Sequence, residues 1–109
     1  MPHDAGHAMK LRLRADLLAA MKEGRAAEAK VLRTLVAAID NAEAPPIIAG
    51  QGHQGETERL CLDDASVLAA IRAEAEEREH AAVQMDGLGK PIHAEALRAE
   101  AAIARRYLG

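Results

Sequence analysis

The sequence predicts an all-α fold: a four-helix bundle built from two antiparallel helical hairpins. Three observations predict it. Apolar residues recur every three to four positions in four separate stretches, the period of a helix with one buried face. Helix-breaking residues fall between those stretches, at Gly24, at Pro45 and Pro46, and in DGLGK at 86–90. Nothing along the chain reads as a strand.

Taken in order, residues 1–9 form a polar lead that is expected to be disordered, since Pro2 and Gly6 oppose a helix there. The first helix is expected over Lys10–Glu23. Leu13, Leu17, Ala20 and Met21 share its apolar face, and Gly24 stops it. The second helix is expected over Arg25–Glu43, with Leu32, Leu35, Val36 and Ile39 as its stripe, ended by Pro45 and Pro46. A long loop follows at 44–62, APPIIAGQGHQGETERLCL. Structureless connections of that length are uncommon in compact domains, so it is either mobile or has a task. Asp63 is a suitable N-cap for a third helix over Asp64–Met85, with Val67, Ile71, Ala75, Ala82 and Met85 inward. Pro91 suits the first turn of a fourth helix that continues to Leu108. Residues 10–109 then make a single domain.

Half of the 109 residues are hydrophobic, but there is no Phe, no Trp and one Tyr. A core of Ala, Leu, Ile, Val and Met buries less area per residue than one with aromatic rings. Close helix pairing or oligomerisation is therefore expected. The net charge of -3 speaks against a domain held to nucleic acid by bulk electrostatics. The single Cys61 excludes an internal disulfide and leaves no second thiol for a zinc site. No apolar run approaches the ~20 residues of a membrane span, and the N-terminus lacks a signal-peptide core. The chain is expected to be cytoplasmic and off the membrane.

Three charged residues fall on apolar faces. Glu43 shares the face of Leu32, Val36 and Ile39. Arg78 and Glu74 lie about 20° to either side of the Val67 direction on the third helix. They are four apart, the spacing at which Glu and Arg can pair. Two readings compete. In the structural one, Arg78 bridges Glu74 and Glu43 and fixes the register of the second helix on the third. In the functional one, a carboxylate pair does acid/base work. No partner nucleophile, cleft or polar pocket is visible for the second, so no catalytic residue is named.

Other candidates are weaker. His3 and His7 have a helical metal-pair spacing but sit in the lead. His80 and His93 lack nearby ligands, so no metal site and no cofactor are expected. GQGHQG at 50–55 matches no phosphate-loop pattern and follows no strand. Lys10, Arg12 and Arg14 make the first helix basic at its start, read as a solvated face. The fourth helix is apolar on two sides: Leu97, Ala101, Ala104 and Leu108 on one, Ile92, Ala96, Ala99, Ile103 and Tyr107 on the other. The second set is a candidate surface for a protein partner or self-association, or the helix is covered on both sides.

Four stretches carry a family resemblance: LRADLLAAMK at 13–22, VLRTLVAAIDNAE at 31–43, LDDASVLAAIRAEAEERE at 62–79, and EALRAEAAIARRYL at 95–108. In this order they resemble the YqeY-like proteins, relatives of the C-terminal helical region of the B subunit of tRNA-dependent amidotransferase. The resemblance implies the N-terminal four-helix part of that fold. It also implies a signature comprising Arg33, Asn41 and Glu43, with Arg78 from the third helix. Relatives usually continue from Y-L-P into a three-helix tail associated with tRNA contact. This chain reads Tyr107-Leu108-Gly109 there, which weakens the expectation of tRNA binding. The family's carbon–nitrogen ligase activity, with glutamine as amide donor, belongs to a multi-subunit enzyme whose glutamine- and ATP-using residues lie in other domains. The expectation is a non-catalytic accessory module of the amidation or translation machinery; the alternative is a tRNA-binding adaptor, resting on Arg33, Arg105, Arg106 and the basic first helix.

Overall fold

The computed structural model describes residues 3–45 and 60–109. It is all-helical over those residues, with α1 at Ala5–Lys22, α2 at Ala26–Glu43, α3 at Asp64–Gly87 and α4 at Pro91–Arg105. The α1–α2 and α3–α4 pairs are the most extensive contacts, and α2 also lies against both α3 and α4. This is the expected pair of hairpins. Gly24 and Gly89 terminate α1 and α3 with φ of 72°, the left-handed conformation that favours glycine after a helix end.

The N-terminal boundary differs from expectation. α1 starts at Ala5, so residues 5–9 are helix and not lead. Asp4 is the reason: its side chain accepts from the His7 backbone N–H at 3.0 Å and caps the first turn. The Ala5 N–H also donates to the Leu62 carbonyl at 3.2 Å, tying the helix start to the segment before α3. At the other end, α4 stops at Arg105, short of the expected Leu108. Tyr107 and Leu108 follow in a tight turn, with N–H groups donating to the carbonyls of Ala104 and Arg105. Asp63 caps α3 as expected, accepting from the Ser66 N–H at 2.8 Å. Of the expected 44–62 loop, positions 46–59 lie outside the described residues.

The core is centred on α2, whose Val31, Leu32, Leu35 and Ile39 are fully buried with Leu13 of α1 and Val67 and Ile71 of α3. Met21, expected inward, is 54% exposed; it lies about 80° around α1 from Leu13. Alanine does much of the sealing between α3 and α4, where Ala75, Ala82, Ala94, Ala101 and Ala104 are buried. Small side chains let the two axes approach closely, which compensates for the missing aromatic volume.

One length mismatch shapes the surface. α3 has 24 residues and α2 has 18, so at ~1.5 Å per residue α3 outruns α2 by about 9 Å. The end of α2 and the start of α3 lie near one level, because the Leu60 N–H donates to the Glu43 carbonyl at 2.8 Å. The excess therefore projects at the α3–α4 turn, where Val83, Leu88 and Ile92 are exposed.

Candidate functional site

The expected Arg78–Glu74–Glu43 bridge does not form. Arg78 donates from Nε to Glu100 of α4 at 3.2 Å and from Nη1 to the backbone carbonyl of Glu74 at 3.1 Å. Glu100 also meets Lys30 of α2 at 3.3 Å. Arg78 thus joins α3 to α4, and Glu100 extends the link to α2. Glu43 is buried and Glu74 and Arg78 are half-buried, but they stand at different heights. Glu43 is level with the start of α3, while Arg78 lies fourteen residues beyond Asp64, about 21 Å along the axis.

Glu43 finds its cation on α1. It is 3% exposed, and Lys10 Nζ donates to its Oε1 at 2.5 Å and to Asp40 at 2.9 Å. Gly6 makes room for this carboxylate: a Cβ there would run into Glu43 Oε2. Burial disfavours the charged Lys10 ammonium, but hydrogen bonds to Glu43 and Asp40, together with their charges, outweigh it and raise its pKa above 10.5. Lys10 is therefore held as a cation, which removes it as a nucleophile or base near neutral pH. A cleft of about 280 Å³ opens beside the pair, lined by Asp4, His7, Lys10, Arg14, Glu43, Leu60 and Cys61. The Cys61 thiol donates to the His3 carbonyl at 3.5 Å.

A second polar groove, about 380 Å³, lies between α2 and the α3–α4 hairpin. Glu74 and Arg78 line it together with Lys30, Thr34, Glu77 and Glu100. Burial raises the Glu74 pKa, Arg78 partly opposes that, and Glu77 adds to it. Of the remaining signature positions, Arg33 and Asn41 are exposed, eight residues apart on α2. They lie about 12 Å apart along the axis, so the structure gathers no single site from Arg33, Asn41, Glu43, Glu74 and Arg78. Asn41 contributes its backbone carbonyl to the Ala44 N–H at 3.3 Å.

The second stripe of α4 is split. Ile92 is 87% exposed, with Ala96 and Ala99 also exposed, whereas Ile103 is half-buried and Tyr107 buried. Tyr107 donates its hydroxyl to Asp16 of α1 at 2.5 Å, and the Arg12 guanidinium sits 4.7 Å above its ring. The end of the chain is thereby fastened to α1, and only the projecting half of the stripe remains as a surface.

Comparison with family models, curated proteins and solved structures finds no match.

The side chains that complete these clusters were legible only in part. Lys10 lies about 20° from Leu17 around α1, a cation on the apolar face. That signal was masked by reading Lys10 as the first helical residue. Glu100 lies about 40° from Ala104 and 60° from Leu97, at the edge of the inner stripe. Asp40 and Asp16 gave no comparable signal. Among the described residues, no group of three His, Cys, Asp or Glu side chains is placed to hold a metal, and no helix is long and apolar enough to cross a membrane.

Proposed function

We propose that this chain is a non-catalytic helical interaction module whose partner belongs to the tRNA-amidation or translation machinery. The observation that carries the interaction part is the projecting α3–α4 end, where Ile92, at 87% exposure, stands beside Ala96 and Ala99. Val83 and Leu88 are exposed at the same end, and apolar side chains gathered on a rigid helix pair offer a contact surface for a partner. The choice of machinery rests on the sequence resemblance to YqeY-like proteins.

The charge arrangement favours this reading over a tRNA adaptor. Several cations that would meet phosphate already meet carboxylates. Arg105 is bound through two nitrogens by Glu79, at 2.6 and 2.8 Å, and Arg106 meets Glu28 at 2.9 Å. Other exposed cations, Arg12, Arg14, Lys22, Arg33, Arg72 and Lys90, are spread over α1, α2, α3 and the N-cap of α4 in a chain of net charge -3, which weakens any counterion-release contribution.

Purified amidotransferase and ribosomes, each immobilised and offered the full chain, test the proposal. Binding that an Ile92→Glu variant loses is the expected result. Binding to neither rejects the choice of machinery. Binding that survives Ile92→Glu rejects the surface. Micromolar tRNA binding at low salt by the wild-type chain would restore the adaptor reading.

A further inference from the structure

α1 is covered on one side only. On its outer side Leu11 is 56% exposed, and Leu18 and Met21 are 54% exposed. Ala8 and Ala15 are exposed within about 60° of Leu11, so the apolar residues form one stripe along the helix. Beyond Ala8 the stripe runs into an apolar groove of about 470 Å³ between α1 and α3, walled by Met9, Val67 and Leu68.

The inward charges of α1 are of both signs, and the outward ones are of one. Lys10 turns inward to Glu43 and Asp40, and Asp16 turns to Tyr107. What α1 presents to solvent is Arg12, Arg14 and Lys22, all positive on a chain of net charge -3. We propose that the outer face of α1 docks an acidic amphipathic helix of a partner protein, its leucine-type side chains on the Leu11–Leu18–Met21 stripe and its carboxylates against Arg14 and Lys22, which stand among these residues on the same face.

Two other occupants fit less well. The three half-exposed side chains offer a few hundred Å² of apolar area, short of the roughly 800 Å² per partner of a standard interface between globular chains. That suits one helix laid along another. A second copy of this chain, paired through the same face, would bring outward α1 charges that are again all positive, with no outward α1 carboxylate to meet Arg14 and Lys22. An anionic membrane surface shares the charge preference, but the stripe has no Trp or Phe to anchor at a lipid interface.

The test uses the full chain and a fluorescein-labelled synthetic helix of about 18 residues, long enough to span α1. The peptide has leucines at i, i+3, i+4 and i+7 and flanking glutamates; a second peptide replaces every glutamate by lysine. Fluorescence anisotropy at low salt is expected to show the acidic peptide binding at least tenfold more tightly. Leu11→Gln/Leu18→Gln should weaken that binding tenfold or more with an unchanged melt, and Ile92→Glu should leave it intact, which separates this face from the α4 surface. Arg14→Gln/Lys22→Gln should remove the preference for the acidic peptide, and it serves as the readout if the leucine variant loses its fold. Equal affinity for the two peptides overturns the proposal. So does tighter binding to phosphatidylglycerol vesicles than to the peptide, or a dimer in sedimentation that Leu11→Gln/Leu18→Gln dissolves.

Discussion

Tyr107 is the only aromatic residue of the chain, so its ionisation can be followed by ultraviolet absorbance without interference. Its ring is 5% exposed, its hydroxyl donates to Asp16, and Arg12 lies over it. Burial, then the hydrogen bond to Asp16 and the charge of Asp16, push the phenol from 10 up to about 12, with Arg106 and Arg12 partly opposing. The folded state therefore favours the neutral phenol. Its contribution to stability is complete below pH 10 and is lost as pH rises from 10 to about 12. Two pH units correspond to roughly 2 to 3 kcal/mol. The assay is an alkaline titration of tyrosinate absorbance, with far-ultraviolet circular dichroism to confirm that helices persist. The phenol should ionise near pH 12 in the folded protein. Asp16→Asn should lower that midpoint and cost about 1–2 kcal/mol in denaturant, because a hydrogen bond to a charged acceptor becomes a neutral one. Tyr107→Phe should flatten the loss of stability between pH 10 and 12, leaving the part due to Lys10, whose raised pKa places its loss above 10.5. A phenol midpoint near 10 while the helices are intact would refute the latch between Tyr107 and α1.

Further outcomes follow from the same geometry. Gly6→Ala should destabilise by about 1–3 kcal/mol in urea unfolding although alanine is the better helix former, because its Cβ displaces the Glu43 carboxylate held by Lys10; an unchanged or raised midpoint would show that Glu43 relocates at no cost. Arg78→Ala should cost a few kcal/mol, and Arg78→Lys should not restore it, since one ammonium cannot serve both the Glu100 carboxylate and the Glu74 carbonyl as the guanidinium does. Glu74→Gln should raise the melting temperature at pH 7 and lose that advantage below pH 4.5: a carboxyl with a raised folded pKa stabilises fully only below its unfolded value. Ile92→Glu should change stability by no more than about 0.5 kcal/mol, as expected for an exposed position.

The sequence by itself determined the four helices, most of their boundaries and most of the inward face of each, because helical periodicity and helix breakers act locally. Leu32, Leu35 and Ile39 of α2 and Val67, Ile71, Ala75 and Ala82 of α3 could be placed in the core by angle alone, whereas the buried Val31 stood outside the expected stripe. Angle is only one of the two coordinates that fix a residue on a helix. The other, height along the axis relative to a neighbouring helix, is set by contacts distant in sequence, such as the Leu60 N–H on the Glu43 carbonyl and the Ala5 N–H on the Leu62 carbonyl. Tertiary structure therefore decided which charges meet. It gave Glu43 to Lys10 and Arg78 to Glu100, and it drew residues 5–9 into α1. It also divided the second stripe of α4, since the 24 residues of α3 outrun the 18 of α2 and leave Ile92 outside while Tyr107 is folded in against Asp16.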